Sequence, residues 1–101
     1  MSGLTTHVLD TSRGRPGAGI AVELWHGDEL RHTARTDADG RARMADAIEP
    51  GIYRLVFKIG TYFENGFYPE AAVTFEVRDA AQHYHVPLLV SPFGYSTYRG
   101  S

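Results

Sequence analysis

YRLVFKI, residues Tyr53 to Ile59, sets Tyr53, Leu55, Phe57 and Ile59 against Arg54, Val56 and Lys58. Successive side chains of a strand leave on opposite faces, so a period-two pattern of this kind predicts a β-strand with one face in a core. The turn residues Glu49-Pro50-Gly51 stand one residue before it. The same alternation recurs on both sides of this stretch.

Towards the start, Ile20, Val22 and Leu24 alternate with Ala21, Glu23 and Trp25 and run into Gly27-Asp28, a hairpin signal. Leu30 to Thr36 returns as a more polar strand, expected near a sheet edge. Asp37-Ala38-Asp39-Gly40 is a turn cluster, and Arg41 opens the short stretch RARM at the rim of a sheet. Leu4 to Asp10, LTTHVLD, reads as a strand, and Thr11 to Gly19 as a loop punctuated by glycines and Pro16.

Towards the end, GTYFENG (Gly60–Gly66) is too short for an independent helix but long enough for a turn or two packed on a sheet before Pro69. Val73, Phe75 and Val77 form another alternating strand. After a turn at Asp79 to Gln82, Tyr84, Val86, Leu88 and Val90 share one face of the last long strand, with His83 and His85 on the other. About seven or eight short strands with turn signals about every 8 to 12 residues, and almost no helical period, predict an all-β sandwich. The Ile20–Leu24 and Tyr53–Ile59 alternations are expected to supply most of the core, each buried side chain contributing about 1.5–3 kcal/mol before entropy.

A chain of 101 residues is read as one domain, able to bury roughly two-thirds of its unfolded surface. It has no cysteine, which excludes disulfide, thiolate and cysteine-based zinc chemistry. A net charge of −2, with both signs dispersed, argues against nucleic-acid or acidic-membrane binding. Lys58 is the one lysine and the other positive side chains are arginines, whose planar forks suit carboxylate and imide-like oxygens. The opening MSGLTTHVLD has no basic and apolar leader pattern, and no stretch approaches a membrane span of roughly 20 apolar residues. A soluble cytoplasmic protein is expected.

Candidate chemistry rests on few residue types. His26 and His32 lie at hairpin ends and are expected to face solvent, whereas His7 sits within a strand and His83 and His85 share a face. Histidine suits proton transfer near neutrality. His83-X-His85 also has metal-ligand spacing, but no neighbouring carboxylate completes a set. No nucleophile elbow, phosphate-cradling loop or closely paired carboxylates appear. The stretch HYHVPLLVSPFGYSTYRGS, His83 to Ser101, places Phe93, Tyr95, Tyr98 and Arg99 where a polar tail is usual. It is read either as a last strand that buries its aromatics or as a segment that docks into a site.

Four marks carry a resemblance over nearly the whole chain: LTTHVLD (Leu4–Asp10), TDADGR (Thr36–Arg41), the F-Y-P-E piece (Phe67–Glu70) and HYHVPLLVSPFGYSTYRGS. The sequence resembles the transthyretin-related family and, within it, the 5-hydroxyisourate hydrolase branch, which the ending YRGS separates from the hormone carriers. The resemblance implies two four-stranded sheets with one short helix near Thr61–Asn65. It also implies a homotetramer, a dimer of dimers with active sites in the channel between dimers, and a reaction without cofactor or metal. The implied reaction opens the cyclic amide of 5-hydroxyisourate in urate degradation to give 2-oxo-4-hydroxy-4-carboxy-5-ureidoimidazoline.

The family's functional residues fall on His7, Arg41, His85 and the Tyr98–Ser101 tail. In the expected roles, His7 and His85 share water activation and proton delivery, and Arg41 holds ring oxygens and stabilises the tetrahedral intermediate. Tyr98 contacts the substrate ring, and Ser101, through hydroxyl or terminal carboxylate, positions a histidine or the water. His83 is expected to be supporting and Arg99 to tie the tail down. Two other readings are a non-catalytic transthyretin-like tetramer that binds a small ligand, and a β-sandwich interaction module acting through a sheet edge.

Overall fold

The computed structural model describes residues 3–101, so Met1 and Ser2 of the opening stretch lie outside the described residues. Its strands are β1 (Gly3–Asp10), β2 (Arg15–Pro16), β3 (Ala21–His26), β4 (Glu29–Arg35), β5 (Arg41–Ala45), β6 (Gly51–Phe57), β7 (Ala71–Val77), β8 (His83–Ser91) and β9 (Gly94–Thr97). One sheet is ordered β4-β3-β6-β7 and is antiparallel throughout. The other runs β2-β1-β8-β9, with β5 also on β1. Because β8 pairs β1 along its whole length, β2 and β5 share the remaining edge of β1, at Leu9–Asp10 and Leu4–His7 respectively. Five strands thus make a sheet four positions wide.

The two sheets close over one apolar cluster. Tyr53, Leu55, Phe57 and Ile59 are buried, as are Ile20, Val22 and Leu24, which is the face the alternation predicts. Leu4 and Val8 of β1 and Tyr84, Val86, Leu88 and Val90 of β8 supply the facing layer. The polar β4 lies at an edge and is exposed along almost all of its length. Among the described residues no helix is long and apolar enough to cross a membrane.

The helical turn falls earlier than expected, at Ile59–Thr61 rather than Thr61–Asn65. Ile59 is anchored in the core, and its carbonyl accepts from both Tyr62 N and Phe63 N, at 3.0 Å each, so a single 3₁₀ turn closes there. Gly60 N donates to Pro69 O at 2.9 Å and Phe67 N to Pro92 O at 2.7 Å. These bonds draw the rest of the segment into a loop.

That loop reaches back to the end of β1. The Asp10 side chain is fully buried and accepts from Tyr62 Oη at 2.8 Å, Ser12 Oγ at 2.6 Å and the backbone N–H groups of Ser12 and Arg13. Burial alone would raise the Asp10 pKa, but these donors outweigh it and hold the carboxyl below its usual value.

The tail combines parts of both expectations. Gly94–Thr97 completes the sheet on the outer edge of β8, and Gly100 continues the pairing through a bridge to His85. Its aromatics are nevertheless not buried: Phe93, Tyr95 and Tyr98 are 74%, 39% and 57% exposed. A four-residue edge strand has the core on one side only, and Tyr95 is partly covered by an edge-to-face contact with Tyr68, ring centroids 5.2 Å apart.

Candidate active site

The period of two that fills the core with one face of β1 and β8 leaves Thr5, His7, His83 and His85 on the opposite face. Strand pairing then aligns them. Parallel register sets Thr5 beside His85, and antiparallel register sets His7 beside Arg41 and Thr5 beside Arg43. Three strands distant in sequence therefore present histidines and arginines on one outward surface. An open cavity of about 540 Å³ lies over it, lined by Thr5, Arg41, Arg43, His83, His85 and Ser101, with Arg35 and Asp37 at its rim.

The turn before β5 fixes two of these groups. Asp37 Oδ1 accepts from Asp39 N and Arg41 N, both at 2.9 Å, and the Arg41 N–H is the first cause holding the Asp37 carboxyl below its usual pKa. Gly40 has φ +78°, and a Cβ there would press on Val8 O and stand 3.1 Å from Pro16 Cβ. Only glycine lets the turn lie this close to β1. The turn's Asp39 O faces His7 Nε2 at 2.9 Å. A carbonyl can only accept, so His7 Nε2 carries a proton and Nδ1 is its remaining nitrogen.

His85 is held from two sides. Its Nδ1 lies 2.8 Å from Thr5 Oγ1, while Gly100 N donates to its carbonyl at 2.8 Å. Burial first, then the positive charge of His7, Arg41 and His83, push its pKa below the ordinary histidine value. The neutral ring, which can accept a proton, is thereby favoured at neutral pH. Arg99, as expected of a tie, donates to Gln82 Oε1 at 2.9 Å and stacks its guanidinium 4.7 Å from the Tyr84 ring centroid.

Of the residues singled out from sequence, Arg41, His85 and Ser101 line the cavity and His7 adjoins it beside Arg41. Tyr98 is not brought in. It is exposed and lines a second groove, together with Phe75 and Glu76 of β7, that meets the cavity only at His85. Among the described residues no group of three or more histidine, cysteine, aspartate or glutamate side chains could hold a metal ion.

A profile described as the HIUase/Transthyretin family matches residues 4–100. The chain belongs to that family. Within the HIUase/Transthyretin family, the chain is 47% identical over 115 aligned residues, covering all of both chains, to a protein of Caulobacter vibrioides named 5-hydroxyisourate hydrolase. The structure of Klebsiella pneumoniae 5-hydroxyisourate hydrolase superposes with a TM-score of 0.91 at 36% identity, covering 100% of this chain and 94% of that one. Sea bream transthyretin in complex with thyroxine superposes with a TM-score of 0.89 at 27% identity, covering 97% and 94%.

Two members of this HIUase/Transthyretin surface are not evident from sequence. Thr5 is legible as a residue on the face of His7, but its neighbour His85 depends on a parallel pairing across 80 positions, since Thr5 opposes His85. Gly100 falls within the Tyr98–Ser101 tail, but sequence does not show that it is the close approach of the tail to a ring: a Cβ there would stand 3.1 Å from His85 Cγ and closer still to Cδ2.

Proposed function

We propose that this chain hydrolyses the cyclic amide of 5-hydroxyisourate to 2-oxo-4-hydroxy-4-carboxy-5-ureidoimidazoline, in urate degradation. The observation that carries the reading is one outward sheet face on which Arg41, a neutral-favoured His85 and Ser101 share a cavity beside His7. It occurs in a chain 47% identical over its whole length to a protein named for that activity. The substrate is a planar urate-derived bicycle rich in oxygen and nitrogen acceptors. A lining that carries Arg35, Arg41 and Arg43 against Asp37 supplies the positive potential that such oxygens seek.

In the reaction, a histidine takes a proton from water as the water oxygen bonds to the ring carbonyl carbon. The Arg41 guanidinium faces the oxyanion of the tetrahedral intermediate and lowers its energy. The C–N bond then breaks and the leaving nitrogen takes a proton back from histidine. His7 and His85 share these transfers, and the Ser101 hydroxyl orients the water or a ring.

The single domain works as a cytoplasmic homotetramer, a dimer of dimers. Phe93, Tyr95 and Tyr98, exposed along one edge, are the apolar surface that assembly would cover. Tyr98, outside the cavity of its own chain, is then free to serve substrate binding across subunits.

The test follows the disappearance of 5-hydroxyisourate made in place from urate and urate oxidase. Rapid loss with the wild-type chain and little acceleration with His7→Asn is expected. No acceleration over spontaneous decay from an assembled wild-type protein would sink the reading. The likeness to a thyroxine-bound transthyretin gives the alternative, a non-catalytic small-ligand binder. That role predicts tight thyroxine binding unaffected by His7→Ala.

A further inference from the structure

We propose that Thr5 is the positioning residue of this site: its hydroxyl, held between the His83 and His85 imidazoles, sets the tautomer of His85 and passes the proton His85 takes up outward to His83. The inference deepens the hydrolase reading above and rests on it. Thr5 Oγ1 lies 2.8 Å from His85 Nδ1 and 2.9 Å from His83 Nε2. A hydroxyl has one hydrogen, so it can donate to only one of the two rings and must accept from the other. Of the two facing nitrogens, one carries a proton and the other does not.

Geometry holds this chain of groups in place. Thr5 and His85 are register partners on adjacent parallel strands, and His83 precedes His85 by one full period on the same face. The β-branched Thr5 side chain has few χ1 choices. The two rings differ in surroundings, for His85 is half-buried and His83 exposed. An imidazolium is disfavoured at His85, where Arg41 and His7 are close, and readily solvated at His83.

The transfers balance. With Nδ1 protonated, His85 accepts a proton from water at Nε2. The Nδ1 proton moves to Thr5 Oγ1 as the Thr5 proton moves to His83 Nε2, and the His83 imidazolium releases its Nδ1 proton to solvent. Delivery of the Nε2 proton of His85 to the leaving nitrogen runs the same three transfers backwards and resets the site. No group other than water and substrate is consumed.

One consequence can be read without any substrate. Whichever way the Thr5 hydroxyl points, neutral His83 and His85 must carry their protons on the same-named nitrogen, both Nδ1 or both Nε2. Long-range ¹⁵N–¹H correlation spectra of the assembled protein, labelled at histidine, report this. Like tautomers in the wild type, and loss of the correlation in Thr5→Val, are expected; unlike tautomers in the wild type would overturn the proposal. Because this readout needs no turnover, it separates failure of the relay from failure of the hydrolase reading.

In turnover, Thr5→Val is expected to lower kcat by about 10²-fold, the lower end of what a positioned proton transfer contributes, with KM changed about twofold or less. Thr5→Ser restores most of the rate. The exposed His83→Gln, which leaves the fold alone, is expected to lower kcat and to make it rise with imidazole buffer concentration. A Thr5→Val rate within about twofold of wild type, or a loss that Thr5→Ser does not recover, would refute the relay.

Discussion

Gly100→Ala adds one methyl group at a place where the structure has no room for it. The new Cβ would stand 3.3 Å from His85 Cβ, 3.1 Å from Cγ and closer still to Cδ2, so either the ring or the tail must move. If the ring turns, it gives up the 2.8 Å bond to Thr5. If the tail lifts, Gly100 N gives up its bond to His85 O. Either loss is worth about 0.5–1.5 kcal/mol of stability, which in a domain of this size lowers Tm by about 4–8 °C per kcal/mol.

Activity is expected to suffer far more than stability. A displacement on the order of 1 Å at a reacting group can cost about 10²-fold in rate, equivalent to about 2.7 kcal/mol of barrier. The assay pairs thermal unfolding with the 5-hydroxyisourate rate for Gly100→Ala, using Gly94→Ala as control, where a Cβ meets only Ser91 Oγ, at 3.8 Å. A variant that keeps its rate within about threefold of wild type would show that the tail does not hold the His85 ring, and the reasoning from close approach would be wrong.

Deleting Tyr98–Ser101 removes both the Gly100 bridge and the Arg99 tie, and is expected to abolish turnover while far-ultraviolet circular dichroism stays that of a β-protein; an active truncated chain would remove the tail from the site. The rate has a pH signature: because burial, then His7, Arg41 and His83, lower the His85 pKa, the acid limb of kcat/KM is expected below the ordinary histidine value of about 6.5, and a limb at or above it would count against His85 as base. The same shift sets a stability trend, since the unfolded chain takes up this proton more readily than the folded one; stability from this group is whole above about pH 6.5 and declines as pH falls through the lowered value, which a denaturant titration against a His85→Asn reference measures. Tyr62→Phe deletes a 2.8 Å donor to the buried Asp10 carboxylate and is expected to destabilise by about 1.5–3 kcal/mol, read as a fall in denaturant midpoint; no change would mean that water replaces the phenol.

Much of this molecule is legible in its sequence because its code is local. Alternation in Ile20–Leu24 and Tyr53–Ile59 names the core face of two strands directly, and Asp37–Gly40 followed by Arg41 states a turn and what it presents. Histidines two apart on a strand must leave on the same side, so His83 and His85 share a face by backbone geometry alone. What the sequence hides depends on partners chosen by the whole fold. The Thr5 to His85 contact needs parallel pairing of distant strands. The helical turn shifts because Ile59 is claimed by the core, a tertiary demand no seven-residue window carries. Resemblance assigns Tyr98 to a substrate contact, and within one chain it lines a neighbouring groove that shares only His85 with the cavity.

The parallel pairing of β1 with β8, Gly3 opposite His83 through Asp10 opposite Val90, bears on how the protein is made as well as on what it does. A ribosome delivers β1 long before β8, and until then the only partners β1 can reach on its own sheet are β2 and β5. Folding dominated by such distant pairings is slow, and an unpaired strand edge is a place where nascent chains stick to one another. The half of the site made by His7 and Arg41 can therefore form early, while the half made by His83, His85 and Gly100 closes in the last act of folding. Turnover would then appear in a refolding experiment together with the final burial of the core, because the same strand carries Tyr84, Val86, Leu88 and Val90 into it.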